Sequence, residues 1–177
     1  MLDVNVLHKW GFKMNSIANV LNAMIMYYSG DPKRISHFLK VYGFAKAIGE
    51  NENIGKETQH ILEITALTHD IGIKNSEAKW KSSAGSYQQT EGPPEAKKLL
   101  ESLGVQTEII ERVCWLIAHH HTYTDIIGID YQILIEADFL VNAYEDDMSA
   151  NAVRSFRNKI FKTTSGIMYL DNIFKMH

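Results

Sequence analysis

The sequence predicts an all-α protein that folds as a single domain over residues 1–177. Most segments repeat apolar residues at the three- and four-residue spacing of an amphipathic helix, and no segment shows the two-residue alternation of a strand. Glycines, prolines and capping residues divide the chain into pieces of helical length. With 45% hydrophobic and 22% charged residues among 177, the chain can bury one sizeable core.

The predicted helical segments share this apolar spacing and follow one another with short breaks. In chain order they are MNSIANVLNAMIMYYSG, DPKRISHFLKVYGFAKAIGEN, KETQHILEITALTHDIG, GPPEAKKLLESLG, QTEIIERVCWLIAHHH, DYQILIEADFLVNAYE, SANAVRSFRNKIFKT and SGIMYLDNIFKMH.

Local signals set the predicted boundaries of these helices. Gly30 is expected to end the first helix, and Asp31 is expected to cap the second, with Pro32 at its first position. Gly72 is predicted to be the left-handed residue that closes the third helix. The fourth is expected to begin at the prolines of GPPEAKKLLESLG and to end at Gly104.

The segment 74–91, KNSEAKWKSSAGSYQQTE, is predicted to be a loop because it is polar and rich in serine. A loop of this length in a compact domain is more often functional than idle. Lys79, Trp80 and Lys81 place an aromatic ring between two cations, which suits stacking on a base beside a polyphosphate. The alternative is that Trp80 packs the loop against the protein.

Charge and cysteine content restrict the partners that we expect. The net charge is −3 and no basic stripe is present, which argues against a nucleic-acid polymer as partner. No segment is long and apolar enough to span a membrane, and no signal peptide is apparent. Cys114 is the single cysteine and lies in an apolar run, so we expect a buried thiol and a cytoplasmic location. Tyr27 and Tyr28 fit either core packing or a homodimer surface.

The stretch ITALTHDIGIKN, residues 64–75, ends an apolar helix with adjacent His69 and Asp70. The pair is either a helix end that faces water or half of a metal site. His37 lies on an apolar stripe with Val41 and Ala45 and therefore points inward, as a core histidine or as a ligand.

Asp138 lies on the core-facing line of its helix with Leu134 and Val141. A buried carboxylate needs a partner, which can be a basic side chain, a cap or a metal ion. With His37, His69 and Asp70, it offers two imidazoles and two carboxylates. This set suits a divalent ion with open positions: Mn²⁺, Fe²⁺, Co²⁺, Ni²⁺, Zn²⁺ or Mg²⁺.

The order His37, His69-Asp70, Asp138 resembles the HD-domain superfamily of metal-dependent phosphohydrolases. RISHFLKVYGFAKAI resembles the helix of the first histidine, ITALTHDIGIK the run into the His-Asp pair, and ILIEADFLVNAYE the helix of the last aspartate. The resemblance covers about residues 31–145, with helices flanking that core on both sides. It implies an all-α bundle, one divalent metal held by the four residues, and Asp70 as the catalytic residue that orients the attacking water.

The resemblance also implies positions for a second metal, which this chain matches only in part. Gln88 stands where dinuclear relatives carry a histidine, and Glu91 lies nearby as a substitute ligand or an ion-pair partner. The family's histidine pair corresponds to His119 and His120, which we interpret as phosphate ligands or weak ligands of a second metal. His121 is expected to be solvated. A second metal is therefore possible but doubtful.

Two cations complete the candidate site. Arg34 lies one turn before His37, where it either holds a substrate phosphate or pairs with an acidic neighbour. Lys74 follows the His-Asp turn and either reaches the phosphate or is solvated. The resemblance implies hydrolysis of a phosphate ester or anhydride of a small phosphorylated metabolite, with a nucleotide as the expected class. The alternative is a catalytically weak sensor module that binds a metal and a nucleotide, because Ile73 replaces a glutamate that some relatives carry.

Overall fold

The computed structural model describes residues 16–176, and the regular structure of that part is entirely helical, which confirms the predicted fold class. In chain order the helices are α1 (Ile17–Tyr27), α2 (Pro32–Glu52), α3 (Lys56–Thr68), α4 (Ile73–Trp80), α5 (Gly85–Ser102), α6 (Thr107–His119), α7 (Ile129–Glu145), α8 (Ala150–Ile160) and α9 (Thr164–Ile173). The first helix was predicted to begin at Met14 and the last to reach His177, and both of these residues lie outside the described part.

Helix α3 lies at the centre of the bundle and packs against α1, α2, α6 and α7. Its residues from Leu62 to Thr68 are all buried. Two of them are threonines, and their hydroxyls donate to carbonyls four residues earlier, Thr65 to Ile61 at 2.8 Å and Thr68 to Ile64 at 2.9 Å. These bonds satisfy the hydroxyls locally, so a polar sequence can fill the middle of the core.

Two apolar clusters pack on the two sides of this centre. One contains Tyr131 and Leu134 of α7 together with Phe161, and the other contains Met24 of α1 and Leu100 of α5. Helices α2 and α3 contribute residues to both clusters. The helices that carry the candidate histidines are therefore held from both sides.

Most of the predicted helix boundaries hold. The Asp31 side chain accepts a hydrogen bond from the Arg34 amide at 3.1 Å, and Pro32 is the first residue of α2, so this N-cap is confirmed. Gly30 and Gly104 follow α1 and α5 with positive φ angles of 88° and 69°, a conformation that glycine adopts without steric cost.

The prediction of a loop over residues 74–91 is wrong. Helix α4 occupies Ile73–Trp80, and α5 begins at Gly85. Only Ile73 and Ser76 of α4 are buried. Because this helix has two turns and buries so little apolar surface, its sequence lacks the periodic pattern on which the prediction depended. The Trp80 ring stacks on Tyr87 with centroids 5.2 Å apart, which favours the alternative that Trp80 packs against the protein.

The fourth predicted helix begins seven residues earlier than expected, so Pro93 and Pro94 lie inside α5. A proline removes one amide donor and frees the carbonyl four residues before it. One local contact uses the carbonyl of Pro93 itself, which lies 3.3 Å from the half-buried Cys114 Sγ. Both prolines fall in the third turn of α5, a helix that packs along α6.

Gly72 serves a different purpose from the predicted one. Its φ angle is −69°, so it is not the left-handed end of α3, and it is instead the residue before α4. A Cβ atom at this position would lie 2.7 Å from both the Gln88 carbonyl oxygen and the Gly92 amide nitrogen. Glycine is needed here because the turn after α3 touches the backbone of α5.

No helix within residues 16–176 combines the length and the apolar character that a membrane crossing requires.

Candidate metal centre

Three helices bring the four predicted ligands to one point. His37 projects from the second turn of α2, His69 and Asp70 follow the last residue of α3, and Asp138 lies in the middle of α7. His69 is fully buried, and His37 and Asp138 are 8% and 4% exposed. Asp70 is the most accessible of the four, with 20% of its side chain exposed.

The ligand atoms of these side chains face one another at short distances. His37 Nε2 lies 3.3 Å from His69 Nε2 and 3.3 Å from Asp138 Oδ1. The Asp70 carboxylate completes the group, with Oδ2 3.5 Å from His37 Nε2 and Oδ1 3.6 Å from His69 Nε2. The ligand atoms of His37, His69 and Asp70 lie close enough together to hold one ion, and Asp138 Oδ1 lies beside both histidines, 3.3 Å from His37 Nε2 and 3.5 Å from His69 Nε2.

Hydrogen bonds on the far side of each imidazole determine what these nitrogens offer. His37 Nδ1 lies 2.9 Å from Glu145 Oε2, and His69 Nδ1 lies 2.9 Å from the Ala66 carbonyl oxygen. Both partners are acceptors, so each Nδ1 carries the proton and each neutral ring turns the Nε2 lone pair toward the centre. Asp138 Oδ1 is buried there without a partner in hydrogen-bond geometry. Lone pairs that converge in this way fit a divalent cation.

Protonation of the histidines is the alternative to a bound metal ion. Both relieve the repulsion between the converging lone pairs and carboxylates. Burial lowers the pKa of His37, but the carboxylates of Asp138 and Asp70, which stabilise the protonated ring, outweigh burial and raise the pKa to about 9. The same carboxylates raise the pKa of His69 against its burial. Burial opposes ionisation of Asp70 and Asp138, yet the neighbouring histidines hold both pKa values below the usual range. The cluster therefore attracts positive charge, either as protons or as a metal ion.

A second group of ligand atoms shares Asp70. His120 Nε2 lies 3.5 Å from Asp70 Oδ1, and Asp70, His120 and His121 have ligand atoms close enough together to hold an ion. His120 Nδ1 is engaged 2.7 Å from the Ile117 carbonyl, while the Nε2 atoms of His120 and His121 are buried and without hydrogen-bond partners.

The histidine pair at this site is therefore His120 and His121, and not the predicted His119 and His120. His119 turns the other way, because its ring stacks on Trp115 with centroids 4.3 Å apart and its Nδ1 lies 2.6 Å from the Trp115 carbonyl. Helix α6 ends at His119, and the chain changes direction immediately after it. Helical periodicity identifies His120 as inward but does not extend to His121, which the turn brings to the site.

The remaining predicted residues divide between the cavity and its surroundings. Gln88 lines the cavity, with Nε2 donating to the Ser83 carbonyl at 2.7 Å and a buried, unpartnered Oε1. Glu91 is paired with Lys79 at 2.5 Å and does not line the cavity. Lys74 donates to the Tyr27 carbonyl at 3.2 Å, on another part of the surface. Arg34 lines the cavity but is held by Asp31 and, at 2.6 Å, by Glu77.

The turn that carries His69 and Asp70 is fixed by two tyrosines. Tyr28 is buried and donates to the Asp70 carbonyl at 2.8 Å, while Tyr27 donates to the Ile71 carbonyl at 3.4 Å. Tyr28 packs in the core, as one of the two interpretations predicted, and Tyr27 is half-buried. Both hydroxyls hold the backbone of the His-Asp turn in place.

Three of the four ligands, His37, Asp70 and Asp138, line a cavity of about 630 Å³, a size typical of small-molecule sites, and His69 is buried behind them. Sequence reasoning missed Glu145, which lines this cavity and contacts His37. The signal was available, because Glu145 follows Asp138 by seven residues and two helical turns place both on one face of α7. It also missed the aromatic part of the lining, which comes from three separate elements and shares no local pattern.

Comparisons with known proteins identify the family. The model of the HD domain matches residues 34–153. A crystal structure described as a predicted HD superfamily hydrolase, from an uncultured Thermotogales bacterium, matches with a TM-score of 0.63 and 25% identity. That match covers 89% of this chain and 84% of the other. No curated protein matches the chain. The family model extends from α2 to α8 and includes every residue of the two ligand groups, so this chain belongs to the HD-domain superfamily of metal-dependent phosphohydrolases.

Proposed function

We propose that the protein hydrolyses a phosphate ester or anhydride of a small phosphorylated metabolite, with a divalent ion held by His37, His69, Asp70 and Asp138. The observation that carries this proposal is the convergence of two Nε2 atoms and two carboxylates at 3.3–3.6 Å, beside a cavity that His37, Asp70 and Asp138 line. The match to a structure described as a predicted HD superfamily hydrolase supports hydrolysis as the class of reaction.

When bound, such an ion supplies Lewis acidity toward a phosphoryl oxygen and makes water acidic near neutral pH. The residues of the chain provide the rest. His69 and Asp138 are held rigidly because they are buried, and the Nδ1 contacts fix the rings of His37 and His69. Asp70 is the most accessible member of the set, so its carboxylate is the group that can orient a water molecule from the cavity.

Elemental analysis of the untagged protein beside Asp138→Ala tests the metal site first. We expect about one Mn, Fe, Co, Ni, Zn or Mg per chain in the native protein and loss of that metal in the variant. The metal that is found is then used in a screen of nucleotides and other phosphorylated metabolites. A native protein that stays free of metal after supplementation would refute the proposal.

The same measurement decides between one metal and two. Asp70, His120 and His121 support a second ion, and Gln88 is a weaker ligand than the histidine of dinuclear relatives. We expect a second ion to bind more weakly and to be lost in His121→Ala. His119→Ala is the matched control, because His119 stacks on Trp115 outside the site. Equal loss of metal in both variants would contradict the assignment of His121.

A sensor with little or no turnover is the second candidate function. The observation that favours it is Ile73, which lines the cavity where some relatives carry a catalytic glutamate. Asp70→Asn separates the two functions. An enzyme loses its turnover in this variant, whereas a sensor shows no metal-dependent turnover in the native protein and still binds its ligand.

A further inference from the structure

One part of the cavity lining is an apolar wall, in contrast to the charged and polar residues of the metal centre. Tyr123, Phe139, Met148 and Phe156 line it together with the metal-binding side chains. Phe156 stacks on Phe139 with centroids 3.8 Å apart and an angle of 5°, and Tyr123 meets Phe156 edge-on at 5.1 Å. The rings form a continuous stack that begins in the core at Phe139 and ends at Tyr123, which is 42% exposed.

This wall is rigid where it meets the core and accessible where it meets the cavity. Phe139 is 6% exposed and belongs to the apolar cluster around α7, and Phe156 packs against that cluster. Tyr123 and Met148 are exposed side chains on the connections before and after α7. A planar group placed here would contact aromatic faces without a change in the backbone.

The charges of the cavity are unfavourable for a second anionic group. The lining contains more carboxylates than cations, namely Asp31, Asp70, Asp138, Glu145 and Asp146 against Lys33 and Arg34. Arg34 is already paired with Asp31 and Glu77. A divalent ion offsets the charges of Asp70 and Asp138, which leaves Asp146, in the same lining, without an ion pair among residues 16–176. Added negative charge on the substrate would therefore meet like charge.

We infer that the aromatic wall is a subsite for a flat, uncharged organic group that carries a single phosphate. This inference rests on the proposed function, because it places the phosphate at the metal centre and the ring of the same molecule against Tyr123 and Phe156. It assigns the substrate to aromatic or heteroaromatic phosphomonoesters, and it disfavours di- and triphosphates and substrates with a carboxylate at the far end.

Phosphonates test the subsite without turnover, because their carbon–phosphorus bond is not hydrolysed. We would measure binding to the metal-loaded protein by calorimetry with phenylphosphonate, methylphosphonate and 3-phosphonopropionate, which carry a ring, a methyl group and a carboxylate. We expect phenylphosphonate to bind about tenfold or more tightly than methylphosphonate, because it buries a ring. We expect 3-phosphonopropionate to bind no better than methylphosphonate.

Variants locate the effect. Tyr123→Ala should reduce the preference for phenylphosphonate by about threefold or more, since it removes the accessible ring. Tyr144→Ala is the matched control, because Tyr144 is 75% exposed on α7 and does not line the cavity. Asp146→Asn should improve binding of 3-phosphonopropionate, whereas Asp147→Asn, its exposed neighbour outside the lining, should not.

The possible results distinguish failure of the subsite from failure of the proposed function. Equal affinity for the three phosphonates, no binding of phenylphosphonate, or an unchanged preference in Tyr123→Ala would overturn the subsite. Preference for phenylphosphonate in a protein that hydrolyses no phosphate ester would support the subsite and contradict the proposed function. Hydrolysis of phosphomonoesters without a preference for ring phosphonates would support the proposed function and contradict the subsite.

Discussion

Glu145 shows how one residue outside the ligand set can govern the metal site. Its Oε2 lies 2.9 Å from His37 Nδ1, and its Oε1 accepts from Lys40 Nζ at 2.5 Å. The carboxylate fixes the orientation of the ring and the position of its proton, which increases the basicity of Nε2. Lys40 in turn holds the carboxylate in place.

We therefore expect Glu145→Gln to weaken metal binding by about 10- to 100-fold, the range found when such outer contacts are lost. An amide can hold the ring but lacks the negative charge. Competition with a chromophoric chelator measures the change. Glu111→Gln on the exposed side of α6 is the control, and an affinity in Glu145→Gln equal to that of this control would show that the contact is incidental.

Sequence reasoning at the residue scale succeeded where a side chain follows helical periodicity. His37 and Asp138 lie on inward faces, so their convergence with His69 was predictable. The positions of His121 and Arg34 were not predictable. His121 depends on the turn after α6, and Arg34 depends on a partner that is distant in the sequence. Arg34 pairs with Glu77, which is 43 positions away in a segment that the sequence presents as a loop. No local pattern encodes such a pair.

At the scale of elements, the close contact between Gly72 and the backbone of α5 fixes the position of the His-Asp turn relative to α5. We expect Gly72→Ala to destabilise the protein by about 1–3 kcal/mol, because the new Cβ meets backbone atoms that cannot rotate away. For a domain of this size the melting temperature should fall by about 2–4 °C for each kcal/mol. Thermal unfolding followed by circular dichroism measures this shift.

Gly43→Ala is the matched control for that substitution. Gly43 lies inside α2, and a Cβ there would meet nothing within 4 Å. Alanine is the better helix former by about 0.5–1 kcal/mol, so this variant should be as stable as the native protein or more stable. Equal destabilisation by the two substitutions would mean that the Gly72 contact is not the cause.

Elements were predicted well where they bury an apolar stripe and poorly where they do not. Helix α7 buries most of its residues and was predicted to within one position. Helix α4 buries two residues and was missed. Tertiary contacts determine whether such a helix forms, since neither its helix propensity nor its apolar periodicity is strong enough to do so.

At the scale of the whole molecule, the metal site joins side chains of α2 and α7 and of the turn that follows α3. In the metal-free protein, two carboxylates and two imidazoles share a buried space. A divalent ion at 100 times its dissociation constant should therefore stabilise the fold by about 2.7 kcal/mol. This stabilisation corresponds to a rise in melting temperature of roughly 5–10 °C.

Thermal unfolding with and without metal, and again after chelation, tests this effect. Asp138→Ala provides the comparison, because a variant that lacks a ligand should show little or no metal-dependent shift. A shift of the same size in that variant would indicate that the ion stabilises the protein from another site.

The separation of the ligands along the chain has a further consequence. His37, His69 and Asp70 are synthesised early, whereas Asp138 lies 101 positions after His37 on the last of the three ligand-bearing helices. During translation, a growing chain that stops short of α7 carries three of the four donors and no means of enclosing an ion between them. Tight binding of the metal therefore has to follow the synthesis of α7, and the tightly bound form reports that α2, α3 and α7 have been made and packed together.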